Sequence, residues 1–586
     1  VTSTPRPDSI EGLFARFGPS YRWLVTATVM MGTIATILTA TIVNVALPDI
    51  MGAFGMGQDK AQLLSTGFLA AMTGTMLLNA WMVETFGQRA TFMLAVTVFI
   101  FASLMGGMAP TEGVLILARV LQGGAAGILQ PLAMQTIFQV FPPEKRGSAM
   151  GIYGIGVVLA PALGPTLGGI MVDSFNWRYV FFMAVPFSLI GLFMATLFLP
   201  GRDNAGPARK FDWIGFGLLT VFLVTLLNGL SNGQRYGWMS DPILRDLAAA
   251  LVAGTGFIVW EQITPAPMLN LKLFTNRAYA GAAVVAFISG AGIFGSTFLI
   301  PLFVQTIQGY TPTRAGMLLM PAGLILVFVF PIAGRLTDKA PAYVTVMFGL
   351  ALFALSSFLM TGVDTDTSFW LFAWWIMVGR IGLGFIMPSL NAGALKALPM
   401  TLLGQGSGAI NFVRQLGGAF GVNLLSIALE RRSQLYVDSF TAAQHAGNGA
   451  TVDLLRSVTG LLAQADVPES LRPAGAMNYL GRLIYSQGNM LGYRDSFFII
   501  GVIFLIALVP ALMMRRRAVP SPPPDLPKAD DRPLPRRPTR SAKKPVLDAN
   551  GMDTHQIISR TSVSRPVTAA AAAMAGLIRW VRPPRP

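Results

Sequence analysis

The chain has 586 residues, 53% of them hydrophobic and only 12% charged, with a mean hydropathy of +0.58. Soluble domains carry about 25% charged residues, so a water-soluble globular fold is excluded and a polytopic membrane protein is implied. Cysteine is absent, which excludes disulfides and thiolate chemistry, and the formal charge of +16 sits mostly from Arg515 onward, where fifteen Lys/Arg face five Asp.

In chain order, apolar runs of about 20 residues, the length that crosses a bilayer, fall at 23–47, 62–83, 90–108, 113–137, 148–171 and 178–199. Two more follow at 213–231 and 243–260, then six at 279–305, 315–336, 343–362, 369–392, 404–429 and 496–514. The expected architecture is an all-α membrane protein of about fourteen spans. The first run is too long for a cleavable leader and lacks a cleavage pattern after it, so it is expected to stay as a span. Lys and Arg in short loops mark the cytoplasmic side. Fourteen of them, including Arg16, Arg89, Lys145, Arg146, Arg335 and Lys396, fall on one side against five on the other. Both termini are therefore expected in the cytoplasm.

The expected organisation is a cytoplasmic segment 1–22, a six-helix bundle 23–200, an inserted helix pair with linkers 201–278, and a second bundle 279–514. That second bundle contains a long external loop, 430–494, with some helix around 451–464. The basic, Pro-rich tail 515–586 is expected to be disordered. Its residues 567–581 are too short to span and are a candidate interfacial helix.

The stretch 119–169 carries the densest signal. It joins two spans through the turn FPPEKRG and places Arg119 inside an apolar run. An arginine in hydrocarbon costs roughly 3 kcal/mol or more and marks a protein interior or a watery path. The second span is studded with glycine and ends in Gly164-Pro165-Thr166-Leu167-Gly168-Gly169, residues that let helices approach closely and bend. The chain also repeats itself. Arg119 precedes Gly123 by four residues, as Arg380 precedes Gly384. Gly147-Ser148 follows the first arginine at nearly the spacing at which Gly406-Ser407 follows the second. Before each arginine span lies a short turn with an acid, Glu84 in AWMVETFGQR and Asp338 in GRLTDK. Two parallel six-helix halves around a central cavity are a known transporter plan.

These stretches, with TATIVNVALP (39–48), LARVLQGGAAG (117–127), LGPTLGG (163–169), FDWIG (211–215) and GQGSGAINFVRQLGGAFGV (404–422), resemble the major facilitator superfamily, in its fourteen-helix drug–proton antiporter branch. The resemblance covers roughly residues 20–515. It implies two six-helix bundles plus two inserted helices, and multidrug-type efflux in exchange for protons. Position by position it gives Arg119 and Gln122 a proton-coupling role and makes Glu84, Gly87, Arg89, Gly334 and Asp338 parts of the gating loops. It makes Gly164, Pro165, Gly168 and Gly169 the antiporter helix, and Arg414 and Gln415 an RQ pair.

The chain departs from that pattern. Thr39 stands where the family's first helix carries an acid, and Thr85 and Gln88 stand where basic residues are common. No Asp or Glu lies deep in any span, whereas Arg119, Arg380 and Arg414 do. Arginine does not titrate below about pH 12, and a carrier of lipophilic cations needs a carboxylate whose burial tunes its proton affinity. A cavity lined by arginine suits an anionic or neutral amphiphile better. Its polar candidates are Thr39, Asn44, Asn79, Gln122, Gln130, Gln135, Gln305, Asn391, Asn411 and Asn423, each of which competes with a helix–helix bonding role.

No Gly-Lys pair occurs, so no P-loop drives the transport, and His445 and His555 lie outside the apolar runs, so no enzyme or metal centre is expected. No cofactor is expected. Expected partners are a small lipophilic substrate, protons and membrane lipids, with a periplasmic adaptor as a further candidate and nucleic acid excluded. Two alternatives stay open at this point: a non-transporting sensor on a transporter scaffold, and a dedicated metabolite or lipid exporter with altered ion coupling.

Overall fold

A computed structural model describes residues 8–202, 210–445 and 447–515, apart from the side chains at 44, 58, 59, 62, 158, 159, 161–163, 165, 166 and 312. The expected disordered tail and the interfacial helix at 567–581 lie outside the described residues.

Hydrocarbon offers no hydrogen bonds to a bare backbone, so the spanning segments must satisfy theirs internally, and helices do so. After a short amphipathic helix α1 (Ile10–Phe17), the first half comprises α2 (Tyr21–Phe54), the pair α3 (Gln58–Thr75) and α4 (Leu78–Phe86), α5 (Gln88–Gly107), α6 (Glu112–Val140), α7 (Arg146–Ser174), and α8 (Tyr179–Phe182) with α9 (Val185–Phe198). An inserted pair follows, α10 (Trp213–Tyr236) and α11 (Asp241–Ile263). The second half runs through α12 (Arg277–Thr306), α13 (Pro312–Lys339), α14 (Ala342–Leu359), α15 (Phe369–Lys396), α16 (Leu403–Ala442), α17 (Gly449–Gln464), α18 (Arg472–Ile506) and α19 (Leu508–Met513).

Among the described residues, twelve helices are long and apolar enough to cross a membrane, and the α3–α4 pair, bent by 56°, makes a thirteenth. The 29-residue α7 occupies the place of the remaining expected span. Helix starts are set by side-chain acceptors: Thr111 for α6, Thr311 for α13, Ser368 for α15 and Asn276 for α12, whose Oδ1 takes the N–H groups of Ala278 and Tyr279. These occupy donors that a helix leaves unpaired in its first turn.

The two halves pack alike. In the first, α2 lies on α7 and α9, and α6 on α3 and α5; in the second, α12 lies on α16, and α15 on α13 and α14. The halves meet through α7 with α13 and through α16 with α4 and α6. The inserted pair is peripheral. Of its two helices, α10 touches α3 and α16, while α11 packs on α10. One expectation changes. Within the 430–494 segment, α17 is the helix expected around 451–464 and packs on α18, but α16 continues unbroken to Ala442 and α18 starts at Arg472, so most of the segment is helix rather than loop. ERRSQLYVDSFTA, the stretch after the expected end of that span, contains neither Gly nor Pro, so nothing in it stops the helix.

Candidate functional site

Arg414 lies eleven residues into α16, about 16 Å from the helix start. Its guanidinium donates to the side-chain oxygen of Asn411 one turn earlier and reaches Asn391 Oδ1 on α15 at 3.5 Å. Asn411 is itself fixed, its Nδ2 donating to Ser407 O at 2.8 Å. Across the half-to-half junction stand Gln130 from α6 and Tyr153 from α7, the latter bonded to Thr33 of α2. These five polar groups line a cavity of about 60 Å³, walled otherwise by Met134, Met150, Val157, Phe330, Met387 and Pro388. That volume admits waters but not a drug-sized molecule, so the halves must separate to take one up. Both acceptors of Arg414 are neutral amides, and no carboxylate lines the cavity among the described residues. The polar end therefore carries an uncompensated positive charge and the walls are soft, methionine-rich and adaptable.

Arg119 is elsewhere. It is 1% exposed, inside the first bundle. Its Nε donates to Leu64 O at 3.1 Å, and its Nη1 to Gln122 Oε1 at 3.1 Å and Thr39 O at 3.4 Å. The guanidinium carbon stacks 4.2 Å from the Phe68 ring centre. Gln122 passes the network on to Ser103 Oγ at 2.9 Å, and Thr39 spends its hydroxyl hydrogen on Ala35 O. Arg119, Gln122 and Thr39 thus form one buried network tying α2, α3, α5 and α6 together, and they are not brought to the cavity. Gln415 is half-buried and does not line the cavity either. The Asn44 and Pro165 side chains lie outside the described set.

The residues expected to gate divide into two contacts. In one, the Asp338 carboxylate on α13 accepts from the N–H groups of Gly147 and Ser148, at 2.6 and 2.9 Å, and from the Ser148 hydroxyl, capping the start of α7. A carboxylate at a helix N-terminus is stabilised by the unpaired donors and the helix dipole. The caps require glycine: a Cβ on Gly147 or on Gly334 would sit 2.5 Å from the carbonyl oxygen of the other. In the second contact, a Cβ on Gly404 would lie 3.3 Å from Ala80 Cα, and one on Gly408 2.6 Å from Met76 O, so α16 lies on α4 as α7 lies on α13. A layer of buried amides lies beside it, Asn79 donating to Gln135 Oε1 at 3.1 Å, with Gln405 also buried. Gly87, between α4 and α5, has φ +82° and is pressed against Arg202, so a side chain there would be strained and crowded. Arg89 donates to Leu199 O at 2.7 Å and pairs with Asp8 at 3.3 Å, anchoring the same corner; Glu84 is exposed there.

Both contacts lie on the face where the described chain begins and ends. On the other side of the cavity, Gly164 and Gly168 of α7 press on Thr41 and Ile42 of α2, while Gly169 has open space around it. Arg380 of α15 is half-buried and donates to Thr297 Oγ1 at 3.2 Å. A cleft of about 470 Å³ between α10 and α11 is lined by aliphatic side chains, Thr255 and Trp260, whose indole N–H is donated to Asp212. With no group converging on it, that cleft offers no recognition chemistry.

Of the polar candidates, Gln130, Asn391 and Asn411 reach the cavity, and Asn79 and Gln135 lie beside the α4–α16 contact. Gln305 and Asn423 donate to carbonyls of their own helices. Tyr153 was not among the candidates. Its only sequence signal is a polar aromatic within the glycine-rich IYGIG.

The Major Facilitator Superfamily profile matches residues 29–422. The multidrug export protein EmrB of Escherichia coli is 28% identical over 491 residues, covering 83% of this chain and 94% of that protein. The fatty acid resistance protein FarB of Neisseria gonorrhoeae is 28% identical over 500 residues, covering 85% and 97%. An uncharacterized transporter of Bacillus subtilis, YcnB, is 31% identical over 468 residues, covering 78% and 97%. Among solved structures, the human organic anion transporter MFSD10 superposes with a TM-score of 0.55 at 13% identity, covering 84% of this chain and 99% of that one. At that identity the likeness is one of fold.

Proposed function

The chain belongs to the Major Facilitator Superfamily, and from that premise we propose that it exports lipophilic compounds by alternating access, with anionic or neutral amphiphiles preferred over cations. Efflux is supported by the likeness to EmrB, which is named as a multidrug export protein. The charge preference is carried by one observation: Arg414 faces the cavity between the halves with only neutral amides as partners. An acidic headgroup there would gain charge-assisted bonds from the guanidinium and further donors from Asn391, Gln130 and Tyr153. A lipophilic cation would meet the same charge in a low-dielectric setting, where repulsion is weakly screened. The apolar walls would take the tail.

Alternation would proceed by breaking the two gates on the terminal face while closing the opposite one. Exchange for protons is the coupling we assign, with Asp338 and Glu84 as candidate carriers, because the cavity itself holds no carboxylate among the described residues. The excess of Lys and Arg on the terminal side supports a cytoplasmic location for both ends in a plasma (inner) membrane. The test is proton flux in proteoliposomes under an imposed pH gradient, with lipophilic anions, neutral compounds and cations offered in turn. Dissipation by anions or neutrals is expected, and Arg414→Gln should lower the anion response about tenfold while sparing neutrals. A response confined to cations would sink the charge argument.

A further inference from the structure

We propose that the lipophilic tail of the substrate passes between cavity and bilayer sideways, through the seam where α7 meets α13, while the inserted helix pair keeps the opposite seam shut. The proposal rests on the reading of the substrate as a lipophilic amphiphile. The halves meet along two seams, α7 with α13 on one side and α16 with α3, α4 and α6 on the other. The second seam is roofed by α10, which lies on both α3 and α16. Leu223 Cδ1 comes 3.4 Å from where a Cβ on Gly74 of α3 would lie. Leu226 and Leu230 cluster with Leu416 and Phe420 of α16, and Gln234 Oε1 accepts from Ser426 Oγ at 2.9 Å. Among the described residues, neither α10 nor α11 packs on α7 or α13.

The bare seam is thin and apolar at the level of the cavity. Phe330 of α13 lines the cavity; a Cβ on Gly154 of α7 would lie 2.7 Å from its ring, and one on Gly151 would meet its carbonyl oxygen. Val327, one turn earlier, shares a face of α13 with Phe330 and Gly334, both of which touch α7, and it is half-buried. Beyond it Leu324 and Phe328 are 50% and 69% exposed. Phe330 in the cavity wall, Val327 in the seam and Leu324 outside it form an unbroken apolar run. Pro321 and Pro331 each leave a carbonyl of the preceding turn without its helical donor, which softens α13 around Phe330. A tail leaving the cavity through water would be disfavoured about fourfold for each methylene wetted. A tail passing between α7 and α13 stays in hydrocarbon while the headgroup keeps to the polar end of the cavity.

The experiment uses the full chain in proteoliposomes, with octyl, decyl and dodecyl sulfonate as probes. Transport rates, and in detergent the dissociation constants and thermal unfolding midpoints, are read for the unaltered chain, Val327→Trp, Val327→Ala and Val224→Trp, the last on the lipid face of α10. The unaltered chain should carry the three sulfonates at rates within about twofold of one another. Val327→Trp should slow them increasingly with tail length, about tenfold for dodecyl sulfonate, with dissociation constants within about twofold and the midpoint unchanged. Val327→Ala should carry dodecyl sulfonate at least as fast as the unaltered chain, and Val224→Trp should stay within about twofold of it. A rate in the unaltered chain that falls about fourfold per methylene overturns the proposal. So does a Val327→Trp variant that is unimpaired, or one that slows all three probes equally or unfolds at a lower temperature, since Val327 is then part of the scaffold. No transport of any probe by the unaltered chain overturns the reading of the substrate, and the proposal with it. The charge preference is judged separately: if Arg414→Gln binds decyl sulfonate as tightly as the unaltered chain, the anion reading falls and the result at the seam stands.

Discussion

Two arginines of similar sequence setting have opposite surroundings, and the roles we propose for them follow from that. Arg119 is enclosed by backbone carbonyls of two neighbouring helices, an amide and an aromatic face. Each bond from a charged donor contributes about 1.5–3 kcal/mol, and removing the donor leaves buried acceptors unpaired. Arg119→Gln should therefore lower the thermal unfolding midpoint clearly while leaving the ratio of anion to neutral transport within about twofold. A changed ratio with an unchanged midpoint would mean that Arg119 reads the substrate after all. Thr39 fits the same picture. Its carbonyl, not its side chain, meets Arg119, and no acid at this position competes for the guanidinium. Arg414 has the opposite environment, with two amides and an open cavity, and there substitution should register in selectivity.

At the scale of elements, the start of α7 is the piece most exposed to a single change. One carboxylate on α13 satisfies two N–H groups and a hydroxyl there, and the two glycines beside it allow the backbones to touch. Asp338→Asn keeps the size but removes the charge and one acceptor, so the closed gate should lose about 1–2 kcal/mol. Because the chain has no cysteine, a single Gln405→Cys, buried in the companion gate, can report opening from the terminal face. Its alkylation by a membrane-impermeant maleimide should speed up several-fold when Asp338→Asn is added. No change in rate would show that the two gates are independent. The sequence made these elements legible where pattern and chemistry coincide. The apolar runs located the spans, GRLTDK pointed to the acid that caps α7, and Arg414 stood out as a charge in hydrocarbon. What the pattern could not show was direction. Whether Arg119 or Arg414 faces the cavity depends on helix rotation within a bundle, and spans that are apolar all round carry no amphipathic signal to fix it. The extension of α16 was missed for a related reason: past its apolar run, α16 turns polar without meeting a residue that would end it.

The whole molecule is two copies of one plan whose chemistry has diverged. Gly147 and Gly151 meet α13 as Gly404 and Gly408 meet α4 and the bend just before it, two residues away from the Gly406-Ser407 pairing suggested by spacing alone. Gln130 follows Arg119 by eleven residues, as Asn391 follows Arg380, and both amides reach the cavity. Yet the first half supplies Tyr153, Gly154 and Val157 to that cavity where the second supplies Asn411 and Arg414. The scaffold is symmetric and the charge is not, so an anion would be held mainly by one half and carried by its motion relative to the other. The make-up of the gates also bears on how the carrier responds to temperature. Glycine backbone, amides and one carboxylate dominate those contacts, so opening them wets little hydrocarbon surface. Heat-capacity change follows the apolar area exposed, and the transport rate should give a nearly straight Arrhenius plot between about 10 and 35 °C in a fluid bilayer. Pronounced curvature would mean that a larger apolar surface, such as that around Phe330, opens in the slow step.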